Sequence, residues 1–189
     1  MNVGAPASEP DLELLRRWRD GDERAGQALV GRYFHALYRF FANKCADADE
    51  LVQSTLLAAV GARDQFRADA SFRTYLFTIA RHKLYRYLRA LKADREVDFS
   101  ITSVAELVTT PGTQLDRDAA QRRLAAAMRE LSVEHQTLLE LYYWEGVEVA
   151  ELAQIFETRP ATVRTWLFRA RSQLREKLGH EPRSKRAVE

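Results

Sequence analysis

A single cysteine, Cys45, stands in a chain of 189 residues. A lone thiol cannot close an internal disulfide or anchor a zinc site. It follows an apolar helical pattern, so it reads as a small packed residue rather than a reactive one. The four histidines, His35, His82, His135 and His180, are scattered, with no pair at the spacing of a metal site. No metal, cofactor or catalytic residue is expected. Proline is scarce, and none of the five falls between residues 11 and 110. Long uninterrupted helices are therefore permitted there. Apolar runs never approach the ~20 residues that a membrane-crossing helix needs. Residues 1–10 have neither the basic start nor the apolar segment of a secretory signal. The expectation is a cytoplasmic protein without membrane insertion. Strand signals and internal repeats are missing too, which leaves an all-α fold.

What is present is helical pattern and segregated charge. Hydrophobic residues make up 46% and charged residues 30%, enough for a folded core and a solvated surface. The formal net charge of +2 hides three blocks. Residues 63–95 hold nine Lys/Arg against three Asp. Residues 131–157 hold six Glu and no Lys/Arg. Residues 159–186 hold nine Lys/Arg against two Glu. Two separated basic blocks in a nearly neutral chain point to two contacts with a polyanion, although solvated Arg-rich helices account for the same counts.

The periodicity predicts a short helix over 12–19, capped by Asp11, and a second with Leu29, Tyr33, Leu37 and Phe40/Phe41 on one face. A third starts near Asp47, whose spacing to Glu50 resembles a capping box. A fourth, capped by Ser71, carries Phe72, Leu76, Ala80, Leu84 and Leu88 at helical spacing. The pattern then fails over 98–118, around Thr109-Thr110-Pro111-Gly112, apart from a candidate helical turn near 104–108. So long an irregular stretch inside one compact unit is unusual. Two small helical domains are therefore expected, over 11–95 and 119–178, joined by a flexible linker over 96–118. Residues 1–10 are expected to be disordered and 179–189 to form a basic tail.

Residues 149–168 have the spacing of a helix-turn-helix. Ala153 is small enough for two helices to cross closely, and Leu152, Phe156, Val163 and Leu167 can share a core. Pro160 suits the first turn of the second helix. Glu157 stands where such turns usually carry glycine. The second helix would present Thr162, Arg164, Thr165, Phe168, Arg169 and Arg171 to DNA. Arginine can pair with guanine edges or hold phosphates, while Phe168 suits either a thymine methyl or the core. Trp166 reads as packing. The acidic helices before this element would repel DNA and are expected to face away from it.

The fourth helix carries a second stripe opposite its apolar one: Tyr75, Thr78, His82, Tyr85/Arg86 and Arg89. Aromatic and basic side chains together suit unpaired DNA, where rings stack on bases and cations follow phosphates. The loop from Arg67 to Ser71 beside it can hold a flipped base. An amphipathic surface helix fits the same pattern.

Three stretches narrow the choice. They are Asp47-Ala48-Asp49-Glu50-Leu51-Val52-Gln53, then Phe66-Arg67, then Phe72-Arg73-Thr74-Tyr75-Leu76-Phe77-Thr78-Ile79-Ala80-Arg81-His82. Together they resemble region 2 of the extracytoplasmic-function sigma factors of the sigma-70 family. The stretch from Leu131-Ser132 through Thr162-Val163-Arg164 to Phe168-Arg169-Ala170-Arg171 resembles region 4 of the same family. The likeness covers nearly all of 11–178, with the motifs in order and a linker between them. It implies that Asp47, Glu50, Leu51 and Gln53 dock on the β′ clamp helices of core RNA polymerase. It implies that Arg67, Ser71, Tyr75, Thr78, His82, Arg86 and Arg89 open and read the −10 element. Thr162, Arg164, Thr165, Phe168, Arg169 and Arg171 would read the −35 element. Core polymerase, including its β flap, promoter DNA and an anti-sigma factor are the implied partners. This chain departs from the family at Tyr75, where tryptophan is frequent, at His82, where asparagine is frequent, and at Ser54, which replaces a common glutamate. Two other classes stay open on the residues: a dimeric repressor that binds a palindrome without polymerase, and a nuclease, which would need a carboxylate cluster that the chain does not show.

Overall fold

The computed structural model describes residues 10–62, 70–91, 97–108 and 119–179. Among them there is no strand, only an isolated bridge between Ser103 and Ser132. The helices are α1 (Asp11–Arg19), α2 (Glu23–Ala42), α3 (Ala48–Gly61), α4 (Phe72–Ala90), α5 (Val104–Leu107), α6 (Ala119–Arg129), α7 (Val133–Tyr143), α8 (Val149–Ile155) and α9 (Pro160–Gly179).

Helices α1 to α4 form the N-terminal bundle. Leu29, Leu37, Phe40 and Phe41 of α2 and Phe72, Leu76, Ala80, Leu84 and Leu88 of α4 are all buried, as the 3.6-residue period requires. Gly26 lets α1 lie close on α2: a Cβ there would fall 2.4 Å from the Trp18 ring. Asp22 caps α2 through the amides of Arg24 and Ala25, and Ser71 caps α4 through that of Thr74. Two expected caps are not formed. Pro10 occupies the capping position of α1, and Asp11 instead accepts from Arg32 and the Tyr33 hydroxyl, tying α1 to α2. At Asp47 the backbone (φ −99°, ψ 48°) is not extended, so its carboxylate misses the α3 amides and accepts from the Tyr87 hydroxyl at 3.0 Å. Cys45 is buried, as expected, and burial pushes its thiol up to about 12.

The C-terminal bundle is α6 to α9. The described part of the expected linker is packed rather than free. Phe99, Val104, Leu107 and Val108 are buried, because apolar side chains so near two cores find partners in both. The carbonyls of Phe99 and Thr102 accept from the first amides of α7, Glu134 and Val133, at 3.0 and 2.9 Å. Buried side chains from both halves join in one continuous cluster.

The two bundles also meet through charge. The Lys44 ammonium, at the end of α2, is fully buried against the Glu140 carboxylate of α7. Gln136 donates to the same carboxylate at 2.9 Å, and the Phe40 ring lies under the ammonium at 4.4 Å. Burial pushes the Glu140 carboxyl above its ordinary value, against the pull of Lys44 and Gln136. Arg39 holds Glu145 through both carboxylate oxygens, at 2.9 and 3.1 Å. Arg129 donates to the carbonyls of Asn43 and Val108, at 3.1 and 2.6 Å.

Candidate nucleic-acid interface

The helix-turn-helix is built from α8, a tight turn and α9. Leu152, Phe156, Val163 and Leu167 are buried as its shared core, and Ala153 sits at the crossing. The turn carries Glu157 at φ +54°, the left-handed conformation that glycine adopts without strain. For glutamate this costs roughly 1 kcal/mol. The amides of Glu157 and Thr158 close the turn on the carbonyls of Gln154 and Ala153 at 3.1 and 2.8 Å.

Helix α9 turns one face outward. Arg164, Thr165, Phe168, Arg169 and Arg171 are exposed and Thr162 is half-buried. Phe168 is 66% exposed, so it belongs to the outer face and not to the core. Trp166 packs edge-on against Phe156 at 6.2 Å, the structural role expected of it. Arg171 is steadied by the Leu167 carbonyl at 3.1 Å and the Tyr143 hydroxyl at 3.3 Å. The Thr165 hydroxyl donates to the Ala161 carbonyl at 3.1 Å.

The stripe on α4 is differently placed. Arg67 lies outside the described residues. Tyr75 and Thr78 are half-buried, and His82, Arg86 and Arg89 are exposed. Tyr85 does not belong to the outer face: it is buried, its ring 4.3 Å from that of Phe99. The linker turns back over α4 there, and the Arg89 guanidinium lies 4.9 Å above the Phe99 ring.

The acidic block of residues 131–157 packs on α4. The Glu151 carboxylate accepts from Ser71 Oγ at 2.7 Å, Thr74 Oγ1 at 3.0 Å and Arg73 Nη2 at 2.6 Å, and from its own Glu148 amide at 3.3 Å. Burial alone would raise this carboxyl, but the Ser71 and Arg73 contacts hold it below its ordinary value. Glu157 reaches Arg81 at 2.9 Å and His82 at 3.4 Å. The Arg81 guanidinium sits between the rings of Tyr85 and Phe156, at 5.4 and 5.6 Å. The basic side chains of α4 attract carboxylates of their own chain for the same reason that they would attract phosphates. Only the sign alternation of the three blocks hinted at this pairing.

On α3, Asp47, Glu50 and Gln53 are exposed, and Leu51 is buried beneath them. Leu57, four residues past Gln53, is 64% exposed on the same face. The motifs do not include it; an apolar residue out of step with the buried stripe is its only signal in the sequence.

The fold and its two basic helices define a two-part helical DNA-binding protein. Residues 27–93 match the family model Sigma-70 region 2, and residues 121–174 match Sigma-70, region 4. The chain belongs to the sigma-70 family, in its extracytoplasmic-function branch. It is 27% identical to the RNA polymerase sigma-H factor of Pseudomonas aeruginosa, over 88% of this chain and 92% of that one. It is 25% identical to the ECF RNA polymerase sigma-E factor of Haemophilus influenzae, over 89% and 95%. Among solved structures it resembles CnrH in complex with the cytosolic domain of CnrY, at 26% identity and TM-score 0.64, covering 90% of this chain and 97% of that one. The sigma factor RpoE of Bartonella quintana, solved with the anti-sigma factor NepR, shares the fold at TM-score 0.60 and 23% identity, over 83% and 96%. Among the described residues no helix is long and apolar enough to cross a membrane.

Proposed function

We propose that this chain directs core RNA polymerase to promoters and helps open them, acting in the cytoplasm through recognition energy while the polymerase performs the chemistry. The observation that carries this reading is the pair of family matches, in order, each covering one of the two basic helices. Residues 11–95 serve polymerase docking and the −10 element, 119–178 the −35 element, and 96–118 the connection between them. Asp47, Glu50 and Gln53 make polar contacts to the β′ clamp helices, with Leu51 supporting them and Leu57 adding apolar area. Ser71, Tyr75, Thr78, His82, Arg86 and Arg89, with Arg67, take the unpaired −10 strand. Thr162, Arg164, Thr165, Phe168, Arg169 and Arg171 enter the major groove at −35.

An anti-sigma factor is the expected regulator. Its support is the family and the resemblance to CnrH, which is solved with a bound cytosolic partner domain. The test of the whole reading is reconstitution. The purified chain with core polymerase should start transcription at a defined promoter, and core enzyme alone should not. Tight duplex binding without polymerase, together with no polymerase-dependent initiation, would favour a repressor instead.

A further inference from the structure

The acidic face of the C-terminal bundle lies on the helix that is expected to hold the −10 strand. Glu151 makes the most informative contact. Its carboxylate sits in a cradle of two hydroxyls and a guanidinium, from Ser71, Thr74 and Arg73, at the N-terminal end of α4. This donor set is that of an oxyanion site: charge-assisted hydrogen bonds at a helix start, where the backbone dipole favours negative charge. A backbone phosphate offers the same geometry and more charge.

Glu157 makes a second contact one turn and more further along α4. It holds the left-handed position of the helix-turn-helix, where glycine would be free of strain. No local hydrogen bond of its side chain accounts for glutamate there. Its carboxylate instead spans to Arg81 and His82 of the other bundle. The residue that departs from the helix-turn-helix pattern thus also reaches across to the other bundle.

We propose that Ser71, Arg73 and Thr74 form a phosphate site for the promoter strand, and that Glu151, with Glu157 as its outer latch, occupies it as an internal phosphate mimic. DNA at the −10 face and the closed arrangement of the two bundles then compete for one site. This rests on the assignment of α4 to the −10 strand. The chain is self-closed, and capture of the −10 strand requires the bundles to part. Raised salt weakens the closing contacts, because Glu157 and His82 are solvent-facing. The apparent affinity for unpaired DNA is the intrinsic affinity scaled by the open fraction, so a chain open about one-tenth of the time binds about tenfold more weakly than an open one.

The experiment uses the full chain without polymerase and a fluorescent mixed-sequence single-stranded DNA oligonucleotide, read by anisotropy at low salt. Glu151→Ala combined with Glu157→Gly should bind about tenfold more tightly than wild type, and its radius of gyration in X-ray scattering should rise. Adding Arg73→Ala should abolish the gain. Glu157→Gly alone relieves backbone strain and so should fold, and it should show part of the gain. Affinity within twofold of wild type in both variants overturns the proposal, as does a gain that survives Arg73→Ala. Failure of transcription with core polymerase, in wild type and variants alike, would sink the sigma assignment while leaving the oligonucleotide result to stand for the site.

Discussion

Helices α4 and α9 are both basic, about the same length and proposed to face DNA, yet only α4 has its N-terminal part engaged by carboxylates of the other bundle. The outer face of α9 presents Arg164, Phe168 and Arg169 to solvent. On α4, Ser71, Arg73, Thr74, Arg81 and His82 are engaged by carboxylates of the other bundle, while Arg86 and Arg89 stay exposed. A basic helix is therefore not by itself an available one. What decides is whether the chain carries an acidic surface within reach. The 131–157 block supplies it to α4, and the geometry of the helix-turn-helix keeps it behind α9.

The contrast is broken most severely at Lys44. Lys44→Ala leaves the Glu140 carboxylate buried without its cation, and denaturant titration should show a loss of about 3–5 kcal/mol. Replacing both partners, Lys44→Met with Glu140→Leu, should recover most of it. A single substitution that cost less than about 1 kcal/mol would mean that the bundles part easily and the pair is wet.

Next in size is Arg164→Ala on the open helix. Promoter use that depends on the −35 element should fall by about 1–3 kcal/mol in transcription assays, with affinity for core polymerase unchanged. Lost core affinity would contradict the assignment of α9. A smaller effect is expected on α3. Gln53→Ala with Leu57→Ala should weaken core binding by about 1 kcal/mol in a fluorescence titration, at an unaltered melting temperature. If melting drops instead, Leu57 has a packing role.

The smallest expected effect is acidic. Glu151 is held below its ordinary carboxyl value of 4.5, so its contribution to the closed fold is complete above about pH 4.5 and is lost as the pH falls further. Glu134 is raised by burial, so its contribution runs the other way, largest in acid and lost as pH rises. The difference in denaturation midpoint between wild type and Glu151→Gln isolates the first. It should stay constant above about pH 4.5 and shrink below it. A difference that grew in acid would reverse the sign assigned to Glu151.

Much of this molecule was legible residue by residue. The apolar stripes of α2 and α4, the Ser71 cap and the helix-turn-helix core all follow from periodicity and turn chemistry, which act within a few residues; the left-handed φ of Glu157 came from the structure. The misreadings share a cause. Asp11 and Asp47 looked like caps because their spacing to the helices was right, but their carboxylates found tyrosine hydroxyls on neighbouring helices. Tyr85 sat on the polar stripe by phase, yet Phe99 covers it. That the acidic block would pack on α4 had no local signal at all.

By itself the sequence determined an all-α chain, two basic helices of known phase, and the motifs by which its family is recognised. These are local quantities, set by hydrogen-bond periods and side-chain type. Only the tertiary structure decided that Lys44 lies buried on Glu140, that Glu151 fills the Ser71–Arg73–Thr74 cradle, and that carboxylates of the other bundle meet the N-terminal part of α4. Charges separated by seventy or more residues attract through space and carry no mark in sequence of which partner they will meet. That choice belongs to the packing of the two bundles, which brings one set of carboxylates within hydrogen-bonding distance and holds the others away.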